Sequence, residues 1–89
     1  MKQELNFMDV DLGHFDTESK TFHPNIDNVK SIEVMGENNC NNPEIMGSIE
    51  IVCYDEKWDW PIFMWVREDK ITLSTSVSYS NRRKVIYLS

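Results

Sequence analysis

From Ser48 onward the chain alternates apolar and polar side chains with a period of two, and that pattern most limits what it can become. Ile49, Ile51 and Cys53 alternate with Ser48, Glu50, Val52 and Tyr54. Ile62, Met64 and Val66 alternate with Phe63, Trp65 and Arg67, and Ile71, Leu73, Thr75, Val77 and Tyr79 with Thr72, Ser74, Ser76 and Ser78. Successive residues of a strand point to opposite faces, so each run builds one apolar face. Asp55–Pro61, Glu68–Lys70 and Ser80–Arg83 supply turn chemistry between the runs, and Val85–Leu88 closes the chain. Strands separated by short turns predict an antiparallel meander, with Thr72, Ser74, Ser76 and Ser78 as a wet face of hydroxyls.

The first half fits the same class. Leu5–Leu12 reads as one strand with a phase change at Phe7-Met8, broken by Gly13-His14. Asp16–Lys20 is a polar turn, Thr21–His23 a short return strand, and Val29–Met35 the next strand. Gly36–Gly47, with Asn38, Asn39, Asn41, Asn42 and Pro43, is the longest polar stretch and reads as a loop, with one helical turn at Glu44–Met46. The chain contains no alanine and only four leucines, so the best helix formers are scarce. Val, Ile, Thr, Tyr, Phe and Trp supply the apolar surface and suit a pleated sheet. Eighty-nine residues make one domain with a modest core. The expected fold is therefore mainly β: a single small domain, residues 1–89, of six or seven strands. It is a twisted antiparallel sheet, sandwich or partly closed barrel, with a C-terminal meander and little helix.

Charge divides the chain. Residues 1–60 hold thirteen acidic and four basic side chains, and residues 61–89 hold five basic and two acidic ones, within a net charge of −6. An acidic body repels nucleic acid and anionic lipid and attracts basic partners. No stretch approaches the roughly 20 apolar residues of a membrane span. Lys2, Glu4, Asp9 and Asp11 interrupt the start where a signal peptide would be apolar. A cytoplasmic protein is expected. With Cys40 in a polar loop and Cys53 in an apolar run, two cysteines do not make a disulfide framework.

Catalytic and metal signatures are sparse. His14 and His23 flank a turn and face each other if that turn is a hairpin, where two imidazoles serve as acid and base. No third group accompanies them, and ordinary turn histidines are the expectation. The spacings of Cys40 to Cys53 and of His14 to His23 exceed the close pairs of zinc sites. Asp9 and Asp11 share a strand face without a calcium loop. With only three glycines the chain has no phosphate-cradling loop. Neither metal nor cofactor is expected, and no enzymatic activity. Arg82-Arg83-Lys84 reads as a solvated basic turn.

The aromatic residues carry the functional expectation. Tyr54, Trp58, Trp60, Phe63 and Trp65 cluster on one hairpin. Phe63 and Trp65 share a parity and belong to a sheet face. Asp55, Glu56, Trp58, Asp59 and Trp60 instead form the tip, where tryptophan beside carboxylate has the composition of a protein-binding hot spot. Acidic neighbours favour a basic protein over nucleic-acid bases. In size, acidity and β content the chain resembles immunity proteins of colicin-type or contact-dependent toxin nucleases, and small phage-encoded inhibitors of host defence. The resemblance is one of composition. It implies a binding protein that neutralises a basic partner, such as a toxin nuclease whose cationic cleft accepts carboxylates where phosphates would sit. The alternative is a structural or assembly β-domain that forms homo-oligomers through open strand edges.

Overall fold

A computed structural model describes residues 1–38, 45–75 and 83–88. Eight strands lie within the described residues, which contain no helix: β1 (Lys2–Phe7), β2 (Val10–Asp16), β3 (Thr21–Pro24), β4 (Ser31–Glu37), β5 (Ile49–Tyr54), β6 (Ile62–Val66), β7 (Lys70–Ser74) and β8 (Arg83–Tyr87). They form two antiparallel sheets, a three-stranded one ordered β1-β2-β3 and a five-stranded one ordered β4-β5-β6-β7-β8. The sheets do not close into a barrel. Every neighbour in each sheet is also a neighbour in sequence, so the C-terminal meander is present and begins one strand earlier, at β4.

One core lies between the sheets. Leu5, Phe7, Leu12, Phe15 and Phe22 come from the small sheet; Ile51, Cys53, Ile62, Met64, Ile71 and Leu73 come from alternate positions of β5, β6 and β7. The cross-strand pairs Ile51–Met64 and Met64–Leu73 run as an apolar row across the large sheet. Burying such a side chain contributes roughly 1.5–3 kcal/mol, so this row accounts for much of the cohesion.

The first strand differs from the expectation. Leu5–Leu12 is not one strand: it folds back as β1 and β2 around Met8-Asp9, both of which adopt positive φ (52° and 63°). That conformation suits a two-residue hairpin and usually selects Asn-Gly or Asp-Gly, so Met8-Asp9 gives no turn signal in sequence. The phase change at Phe7-Met8 is this turn. Gly13-His14 does not break the run either but lies inside β2, beside a register shift between Leu5 and Asn6. Gly13 has φ +118°, and a Cβ there would meet the His23 carbonyl and stand 2.8 Å from the Asn25 nitrogen. Only glycine lets β3 approach so closely.

Asp16 opens the next turn. Its Oδ1 accepts from the Glu18 N–H at 2.9 Å, and that bond, with one from Ser19, holds its carboxyl below the ordinary range. The link from β3 to the large sheet is pinned by Asn25 and Asn28, whose side chains donate to the Asp11 carboxylate and the Asp11 carbonyl.

The hydroxyl face of β7 is not wet where it is described. Thr72 and Ser74 are buried. They stand directly opposite Trp65 and Phe63, which places a large ring beside each small side chain. Ser76 and Ser78 lie outside the described residues, as does Cys40, while Cys53 is a free, buried thiol. No helix among the described residues is long and apolar enough to cross a membrane.

Candidate functional site

The hairpin loop between β5 and β6 gathers the five residues singled out in the sequence, and it sorts them into two groups. Asp55 and Trp58 face inward. Asp55 is 7% exposed; its Oδ1 accepts from the Lys57 N–H at 2.8 Å, and its carbonyl accepts from the Trp58 N–H at 3.0 Å. Such an aspartate turn fixes the loop's entry. Asp55 Oδ2 is buried with no hydrogen-bond partner. The Trp58 ring is half-buried and packs on the core.

Glu56, Asp59 and Trp60 face outward, and Trp60 is 59% exposed. A ring held in water on a loop whose base is anchored loses little freedom when it docks. The rest of the aromatic cluster belongs to the sheet. Phe63 and Trp65 stack with ring centroids 5.9 Å apart and planes 7° from parallel. Trp65 is 1% exposed, and its Nε1 donates to Glu50 Oε1 at 2.7 Å; Asn38 Nδ2 donates to the same oxygen at 3.0 Å. Glu50 thus ties the end of β4 to β5 and β6 rather than facing a partner.

Acidic residues continue from the loop along the neighbouring edge. Tyr54, the last residue of β5, stands opposite Ser31, and its carbonyl accepts from the Lys30 N–H at 2.9 Å. Its hydroxyl donates to Glu33 Oε1 at 3.2 Å. Partial desolvation, then the bond to and charge of Glu33, push that phenol above its ordinary pKa. Glu33 thus extends the loop's acidic character onto the near part of β4, whereas Glu37 stands at the far end, opposite Ile49 and on the other face of the sheet. This extension was not apparent from sequence, because it depends on β4 pairing beside β5.

His14 and His23 do face each other. They are register partners on β2 and β3, and their rings stack with centroids 4.8 Å apart and planes 20° from parallel. Glu4 stands opposite His14 on the other side. Together with Lys2 and Asp11 they line an open depression of about 490 Å³. Among the described residues no group of three or more His, Cys, Asp or Glu side chains is gathered to hold a metal ion. No family model matches this chain, and neither a curated protein nor a solved structure matches it.

Proposed function

We propose that this chain is a small acidic binding protein that neutralises a basic protein partner. The partner class with the matching surface is an enzyme acting on nucleic acid, so the chain would serve as the immunity protein of a toxin nuclease or as a phage-encoded anti-defence inhibitor. The observation that carries this reading is Trp60, exposed on a loop that also exposes Glu56 and Asp59 and is tied down by Asp55 and Trp58. Trp60 supplies the desolvated anchor, and Asp59 and Glu56 meet Lys or Arg of the partner. The net charge of −6 steers the encounter and rejects partners of like sign.

A purified cationic nuclease recovered with this chain tests the reading. Inhibition of nucleic-acid cleavage at one-to-one stoichiometry is expected, and Trp60→Ala should weaken it at least about tenfold, as hot-spot truncations do. Full inhibition by the Trp60→Ala protein would contradict the site. His14→Ala and His23→Ala should leave inhibition intact. A catalytic activity of this chain that disappears in either histidine variant, with the fold retained, would replace binding by enzymatic function.

The homo-oligomeric reading draws on a different observation: β4 and β8 are the two edges of the large sheet, and both expose apolar side chains, Val34 on one and Tyr87 on the other. A stable multimer in solution, with no heterologous partner, would favour it.

A further inference from the structure

Among the described residues, β4 is paired on one side only. In the order β4-β5-β6-β7-β8 it has β5 as its described neighbour, and alternate residues of an edge strand turn their N–H and C=O groups outward. Every residue from Ser31 to Met35 is exposed. Ile32 and Val34 stand opposite Cys53 and Ile51, two buried core residues, so they project to the core side of the sheet. The small sheet does not cover them there: Val34 is 62% exposed. Ile51 and its neighbour Ile49 also line a cleft of about 500 Å³ between the sheets, walled by Phe15, Val66 and Leu88 and rimmed by the charged Lys20, Arg67 and Glu68. The edge therefore combines outward-facing backbone groups and an uncovered apolar row.

Charge selects the occupant. β4 carries Glu33 and Glu37, with the single cation Lys30 just before it, whereas the opposite edge, β8, carries Arg83 and Lys84 and no anion. Pairing β4 with β4 of a second copy would bring four carboxylates into one two-stranded ribbon. Glu33, Glu37 and the register shift around Met35 are the features by which sheet edges resist such pairing. Glu33, on the face opposite Ile32 and Val34, attracts a cationic strand.

We propose that β4 is the docking edge for an extended basic segment of the partner. The segment adds to the large sheet beside Ser31–Val34, lays apolar side chains on Ile32 and Val34, and sets Lys or Arg beside Glu33. This inference takes the partner's positive sign from the function proposed above, and adds where and in what conformation it binds. Main-chain hydrogen bonds give such a complex its affinity, and alternate side chains give it specificity.

The probe is a capped octapeptide of alternating Arg and Val, with one control in which Glu replaces Arg and another in which Pro replaces Val. Backbone amide spectra and hydrogen exchange are the readouts. Saturable shifts confined to β4 and β5, with slowed exchange between Ser31 and Met35, are expected for the Arg-Val peptide alone. Val34→Lys, at an exposed site that tolerates it, should weaken binding at least tenfold. Glu33→Lys should weaken the Arg-Val peptide and admit the Glu-Val one. Absent binding, shifts centred on the β5–β6 loop or β8, equal affinity for the proline peptide, or concentration-dependent pairing of β4 with a second copy would each overturn the inference. If a cationic nuclease is inhibited by the Val34→Lys protein as by the unaltered one, while Trp60→Ala weakens it, the function stands and the strand-addition mode falls. If the Arg-Val peptide seats on β4 but no basic protein is neutralised, the edge assignment stands and the proposed function falls.

Discussion

Trp58 and Trp60 are separated by one residue and do different work. Trp58 packs on the core and Trp60 stands in water. Replacing Trp58 by alanine should destabilise the fold by about 2 kcal/mol, below the full cost for a completely buried ring. Trp60→Ala should change stability by less than about 0.5 kcal/mol, as surface substitutions do. Urea unfolding of the two variants checks this; equal losses would contradict the assignment of roles. Sequence placed both rings at the tip but carried no signal for which turns inward, because that depends on the core beneath the loop. A second residue-scale consequence concerns Cys53, whose thiol burial pushes up to about 12 from an ordinary 9.0. The folded state therefore favours the neutral thiol. Its contribution to stability is complete below about pH 9 and declines as pH rises toward 12, by about 1.4 kcal/mol per unit at most. Thiol-reagent labelling at pH 8 should be slow in the native protein and fast in urea. Rapid native labelling would contradict a buried, protonated Cys53.

Among the elements, the β2–β3 hairpin depends on one glycine. Gly13→Ala would force a Cβ against the His23 carbonyl at a φ of +118°. A loss of about 3 kcal/mol or more is expected from the clash and the strained backbone together. Denaturant unfolding measures it, and a change below about 1 kcal/mol would show that β3 can shift away at little cost. The elements also differ in how clearly sequence announced them. β5, β6 and β7 were legible because Ile51, Met64 and Leu73 each meet the core from a strand of period two. The hairpin at Met8-Asp9 was not, since neither glycine nor asparagine marks its positive φ. The facing of His14 and His23 followed from reading their turn as a hairpin. The burial of Thr72 and Ser74 did not, because small hydroxyls look solvent-facing until Trp65 and Phe63 are known to lie opposite. The exposure of Val34 was equally hidden: its alternation resembles that of β5, and only the reach of the second sheet distinguishes them.

Across the whole molecule, charge and scaffold act together. Two small sheets around one core hold the β5–β6 loop next to the start of β4, so Glu56, Asp59 and Glu33 lie toward the end of the large sheet that carries the anchor tryptophan. The basic side chains of β8 sit at the far edge of the same sheet. Such a distribution attracts a cationic surface over a distance set by the Debye length, roughly 10 Å at 0.1 M salt and much shorter at high salt. The most direct measurement is the association rate constant with a purified cationic nuclease, followed by stopped flow from low to high sodium chloride. Recognition by negative potential predicts a fall on the order of tenfold or more, with the dissociation rate changing far less. An association rate that stays flat across that range would contradict it.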